Sequence, residues 1–223
     1  MTDKRHERRG GYYWVDGVPH VSVTNVLKVI DKPALRHWFG KEVYLAMVLD
    51  PSLDQKTALT APYATSDKAK TRGTLVHSVI EAYKTTGEKI ETVPEKYRGY
   101  VNAFYSYVKD NKLEILEVEK TVYNEKYGYA GTRDMKARIN ERKKPWILDF
   151  KTGKDIYQET ALQLSAYKHA DDEDCRLGVV LLKEDGKYKF QEMEDEFEAF
   201  LACKTLWEWQ NREKHTRFMR GIK

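Results

Sequence analysis

Between Pro94 and Asp110 the apolar residues Tyr97, Tyr100, Val101, Phe104, Tyr107 and Val108 return at steps of three and four. That period predicts a helix with one buried stripe. The period then falls to two. Leu113–Tyr123 and Tyr129–Ile139 read as strands joined around Lys126-Tyr127-Gly128, and Lys144-Pro145 turns the chain into a third strand, Trp146–Phe150. A helix over about 156–170 follows, then strands Arg176–Leu182 and Tyr188–Gln191 about the turn Asp185-Gly186, and an amphipathic helix over about 195–211.

Upstream, Tyr12–Val18 alternates toward Asp16-Gly17, the signature of a small hairpin. Ser22 or Thr24 is an N-cap before a short helix, and Pro33 opens a second one at the position where proline is tolerated. Residues 50–65 read as polar loop. Ser66 is expected to cap a longer helix through Thr86, stopped by Gly87. Helices around a run of meandering strands predict an α/β domain with a central mixed sheet flanked by helices. The expected organisation is a single domain over 1–223. An N-terminal hairpin and helical elaboration (1–65) precedes the core (66–193), and a C-terminal helix with a basic tail (194–223) follows it.

Composition narrows the class. Of 223 residues 41% are hydrophobic and 33% charged, and no run approaches the roughly 20 apolar residues of a membrane span, so no membrane partner is expected. The opening MTDKRHERRGG lacks the apolar core of a signal peptide and carries Asp3 and Glu7, against a mitochondrial leader. Two cysteines, Cys175 and Cys203, are too few for a four-cysteine zinc or iron–sulfur site. A cytoplasmic location is the simplest expectation. The net charge of +4 is unevenly spread, with basic groups in the first ten positions, in Arg133–Lys144 and in Arg212–Lys223. Such segregation fits a face turned to a polyanion, and equally an uneven solvated surface.

The chemistry centres on "ILDFKTG", residues 147–153. Asp149 and Lys151 interrupt an apolar strand at a spacing of two, so they share a face. Taken alone, they read as a salt bridge at a strand end. Asp134, on the preceding strand, can reach the same end of the sheet. Two carboxylates there repel unless a divalent cation joins them, and oxygen ligands suit Mg²⁺, or Mn²⁺ when an imidazole is added. His77 and Glu81 lie four apart on one helix, as do Gln163 and Tyr167 on another. Each pair alone fits a surface contact or a polar seam; three elements offering polar groups together favour a site. Lys151 is then expected to face a phosphate rather than Asp149 alone.

"GTLVHSVIE", "GTRD", "LDFKTG" and "QLSAY", in this order from Gly73 to Tyr167, resemble the RecB-type exonuclease branch of the PD-(D/E)XK nuclease superfamily. With "SVTNVL" and "PALRHWFGKE" upstream, the chain is similar to phage exonucleases and the mitochondrial genome maintenance exonuclease of that branch. The resemblance implies a restriction-endonuclease-like core and a Mg²⁺- or Mn²⁺-dependent deoxyribonuclease with one or two ions and no iron–sulfur cluster. It implies metal ligation by His77, Asp134, Asp149 and the Phe150 carbonyl, with Glu81 toward a second ion or its water. Lys151 is then the catalytic lysine, and Gln163 and Tyr167 place DNA or the active-site groups. The N-terminal helices are expected to help pass single-stranded DNA with a free end. Arg36, Trp38, Lys41, Arg72 and Arg133 are candidate DNA contacts, and the basic tail a further one. Trp38 reads equally as a residue anchoring its helix. Replication or recombination proteins are the partners implied. The alternatives are an inactive nucleic-acid-binding accessory protein and a structure-dependent endonuclease.

Overall fold

The expected hairpin is present, with one strand more ahead of it. In the computed structural model, which describes residues 6–171, 174–213 and 215–216, β1 (His6–Arg9), β2 (Tyr12–Val15) and β3 (Val18–Ser22) form an antiparallel meander. Asp16 and Gly17 turn β2 into β3 with φ of 46° and 82°, the paired positive values of a type I′ turn. Ser22 Oγ accepts the Asn25 N–H at 3.1 Å and so caps α1 (Val23–Val26). α2 (Pro33–Leu49) starts on its proline as expected.

Residues 50–65 are not a loop throughout. Asp54 caps a single turn, α3 (Gln55–Ala58), by accepting the Thr57 N–H at 2.9 Å. α4 then begins at Ala61, five residues before Ser66, with Pro62 in its first turn, and runs to Thr86. Gly87, at φ 71°, terminates it in the left-handed region. The polar composition masked two start signals, an Asp cap and a first-turn proline.

The remaining elements fall close to their expected bounds: α5 (Glu95–Asp110), β4 (Glu114–Asn124), β5 (Tyr129–Arg138), β6 (Trp146–Lys151), α6 (Glu159–Ala170), β7 (Arg176–Leu182), β8 (Tyr188–Met193) and α7 (Phe197–Gln210). They build an eight-stranded mixed sheet in the order β1-β2-β3-β5-β6-β7-β8, with β4 on the other edge of β5. The β3–β5 and β6–β7 pairs are parallel and the rest antiparallel. α4 and α5 cover one side over a core containing Val76, Ile80, Phe104, Tyr107, Met135, Leu148 and Phe150. α1, α6 and α7 cover the other, over Val26, Tyr129, Ile147, Leu164, Val179 and Phe200. This is the α/β architecture expected, with helices on both faces.

One detail of the sheet creates the site. β3 pairs with β5 only at Tyr129 and Ala130, whereas β6 pairs with it at Met135, Lys136 and Ala137. Both use the edge of β5 opposite β4. Residues 131–134 therefore lie in a gap between two strands, where backbone groups and side chains face a hollow.

Candidate metal centre

The antiparallel register Met135↔Leu148, carried one step further, sets Asp134 opposite Asp149 at the mouth of this gap. The backbone ladder has stopped there, and the Phe150 N–H instead donates to Asp134 Oδ2 at 2.8 Å. The Phe150 ring points away into the core beneath α5. Asp149 is almost completely buried, at 1% exposure. Its Oδ1 accepts from Lys151 Nζ at 2.9 Å and from Gln163 Nε2 at 3.1 Å. Its Oδ2 lies 2.8 Å from the same ammonium, so Lys151 bridges both carboxylate oxygens.

The strand-end salt bridge that the spacing alone suggested is present: Asp149 and Lys151 form an ion pair. A carboxylate this deeply desolvated requires an opposite charge, and the residue two positions along the strand supplies it. Burial works to lower the Lys151 pKa, but Asp149 and then Asp134 outweigh it, and the net shift is upward. Lys151 therefore stays an ammonium.

α6 braces this pair. Gln163 spends one amide N–H on Asp149 and also donates to the Tyr167 hydroxyl at 3.2 Å. Burial, with Asp134 and Asp149 nearby, pushes the Tyr167 pKa well up, so the phenol stays neutral. Gly131, in "GTRD", is where Tyr167 lies against β5. A Cβ at that position would stand 2.5 Å from the ring.

α4 contributes from the other side. His77 Nδ1 lies 3.0 Å from Glu119 Oε1 and 3.8 Å from Asp134 Oδ1. Glu81, one turn on, is exposed at the rim of the hollow, and its carboxylate stands outside this group. Burial works to lower the His77 pKa. The Glu119 hydrogen bond and the charges of Asp134, Glu119 and Asp149 prevail and carry it up to about 9. Burial and then Asp149 raise Asp134 to about 7. A proton thus occupies ground that a cation would compete for.

Glu119 was not among the expected site residues. It is legible from register: hairpin pairs Tyr123↔Ala130 and Thr121↔Thr132 count down to Glu119 opposite Asp134. Alternation alone hides it, because β4 carries glutamates at 114, 117 and 119.

The hollow has a volume of about 650 Å³. His77, Glu81, Glu119, Asp134, Asp149, Lys151, Gln163 and Tyr167 line it, with Arg8, Tyr13, Ser22 and Lys70 around them. Of the expected DNA contacts, Arg72 is nearest; its Nε donates to Thr152 Oγ1 at 3.1 Å, just past Lys151, and its guanidinium lies over the Tyr100 ring. Arg36, Trp38 and Lys41 ride on α2, outside the lining, with Arg36 exposed and paired with Asp31 at 2.8 Å. Trp38 and Phe39 are half-buried, and Phe39 packs edge-on against Tyr63 of α4. Arg133 is corrected as a DNA contact. It is wholly buried and paired with Glu117 and with Asp171, so its charge is internal to the fold. Of the basic tail, residues 214 and 217–223 lie outside the described residues.

The donor set fits a hard divalent cation. His77, Glu119 and Asp134 each bring one donor atom within 4.8 Å of the others, and Asp149 stands beside them, one step beyond the last β5–β6 pair. Oxygen with one nitrogen is the ligand chemistry of Mg²⁺ and Mn²⁺.

No protein-family model and no curated protein sequence matches the chain. Among solved structures it is similar to an alkaline exonuclease (LHK-Exo) from Laribacter hongkongensis, at 13% identity and a TM-score of 0.39, over 88% of this chain and 94% of that one. It is likewise similar to LHK-Exo in complex with dAMP, at 15% identity and a TM-score of 0.38, over the same shares of the two chains.

Proposed function

We propose that the chain is a Mg²⁺- or Mn²⁺-dependent deoxyribonuclease, an exonuclease that hydrolyses phosphodiester bonds from a free end of single-stranded DNA. Its service would be in replication, recombination or repair. The observation that carries the reading is the pairing of Asp134 with Asp149 across β5 and β6, beside Lys151 and His77, at an open hollow.

His77, Asp134 and Asp149 would hold the cation, with Glu119 beside them. When bound, it would polarise a phosphate oxygen and lower the pKa of a bound water. The remaining work falls to the chain. Lys151 carries a fixed ammonium at the floor of the hollow, suited to charge growing on nonbridging phosphate oxygens. Gln163 and Tyr167 hold Asp149 in one orientation, and Arg72 and Lys70 add positive charge around the entrance. No covalent enzyme intermediate is required.

An inactive binding protein is the weaker reading, because such a protein has no use for a buried carboxylate–lysine pair braced by a second helix. End-labelled linear single- and double-stranded DNA, beside circular single strands, with Mg²⁺, Mn²⁺ or chelator, tests the proposal. Linear single strands are expected to be degraded only with metal, and circles to survive. Asp149→Ala and Lys151→Ala are expected to lower the rate by at least about 100-fold while DNA binding persists. Cleavage in chelator, or a wild-type rate in Lys151→Ala, would refute it.

A further inference from the structure

We infer that the outward face of α2 pairs with the same face of a second copy of the chain, as two antiparallel helices about a two-fold axis. Three observations carry this. First, α2 runs for 17 residues without one buried residue, whereas α4, α5, α6 and α7 each bury several. Trp38, Phe39, Glu42, Val43 and Ala46 are half-buried along one side. That side faces α4, where Thr65 Oγ1 donates to Glu42 Oε2 at 3.0 Å and Tyr63 meets Phe39 edge-on. The opposite side is left to solvent, yet its second half is apolar. Tyr44 is 67% exposed and Leu49 84%, with Leu45, Met47 and Val48 exposed between them. These five side chains present on the order of 500 Å² of apolar surface, near the upper end of what a monomer keeps in one patch.

Second, the face has the spacing of a helix-pairing seam. His37, Lys41, Tyr44 and Val48 follow at steps of four, three and four, the repeat that holds one line of side chains against a partner helix. All four are exposed. Gly40, beside this line, carries no side chain to keep a second backbone away.

Third, charge selects the same chain as the occupant and sets its direction. Lys41 precedes the apolar stretch and Asp50 ends it at the C-cap, and neither has an ion pair within the chain among the described residues. With Tyr44 against the partner's Met47, Lys41 three residues earlier stands level with the partner's Asp50 three residues later. The two-fold axis makes that pair twice, whereas a parallel arrangement would set Lys41 against Lys41. The polar flanks bring the strip toward the roughly 800 Å² per partner of a standard interface.

The inference goes beyond the nuclease reading and does not rest on it. Sedimentation velocity of the full-length protein in chelator, over a series of micromolar concentrations, tests it. Wild type is expected to pass reversibly from 26.2 kDa to twice that mass. Val48→Glu and Tyr44→Lys, both at exposed positions, should keep the wild-type melting temperature and weaken association at least about 100-fold, since each places a charge in a desolvated seam. Lys41→Asp and Asp50→Lys should each weaken it at least about tenfold, and the double variant should recover it, which a change of fold would not do. A wild type that stays at 26.2 kDa throughout, or a dimer indifferent to the Val48 and Tyr44 variants, would overturn the inference. So would a monomeric wild type whose binding of oligodeoxythymidylate in chelator is lost with Val48→Glu, which would give the face to single-stranded DNA. None of these readouts depends on cleavage, so the nuclease reading stands or falls separately.

Discussion

Asp149 shows how one position acquires several obligations. Its near-complete burial costs solvation, which the Lys151 ammonium against both oxygens and the Gln163 hydrogen bond offset. The arrangement persists because neighbours with little freedom hold it. Gln163 is braced by Tyr167, and Tyr167 lies where Gly131 leaves no side chain. Gly131→Ala should therefore push the ring away from β5 and let Gln163 drift off Asp149. We expect a folded protein with kcat about 100-fold lower, the penalty typical of misplacing a catalytic group by an ångström. A circular dichroism spectrum of wild-type shape beside single-turnover DNA cleavage checks this. The glycine, glutamine and tyrosine are visible in sequence as motif letters. Their mutual contact is not, because it joins β5 to α6 across the sheet.

Elements place these residues through where they stop pairing. The β5–β6 ladder ends at Met135↔Leu148, and the next pair are the two carboxylates. α5 fixes the opposite layer by approaching the β7–β8 turn so closely that a Cβ on Gly99 would stand 1.6 Å from the Glu184 carbonyl oxygen. Gly99→Ala is expected to shift α5 and cost about 1–3 kcal/mol, measured by urea denaturation. If stability were unchanged, that helix–turn contact would not be holding the layer. Periodicity and apolar runs located α5, β4, β5, β6, α6 and β7 within a few residues. It failed between residues 50 and 65, where an Asp54 cap starts α3 and a first-turn proline starts α4.

Across the whole molecule, ion pairs bind layers together as well as solvating the surface. Glu117 of β4 meets buried Arg133 of β5, which also meets Asp171 after α6. Asp195 before α7 meets Lys168 and His169 of α6. Burial works to raise the pKa of both Glu117 and Asp195. Lys120 and Arg133 outweigh it in the first, Lys168 and His169 in the second, and both groups end below their ordinary values. A carboxylate depressed in the folded state adds stability above its unfolded pKa and loses it as pH falls through the folded value. Thermal stability should therefore decline as pH drops below about 4.5, and Arg133→Leu should flatten that decline by removing one of the two cations, Lys120 and Arg133, that pair with Glu117. Melting temperatures from pH 7 to pH 3 measure it. The same pairs explain why clustered charge misleads on partners: part of the basic run 133–144 is consumed inside the fold. What the sequence determined alone was local. Periods of two and of three to four, caps, turns and the spacing of Asp149 and Lys151 depend on neighbours along the chain. What only the tertiary structure decided was the company each group keeps. The gap between β3 and β6, the contact that sets Glu119 against His77, and the burial that binds Lys151 to Asp149 all come from contacts between elements distant in sequence.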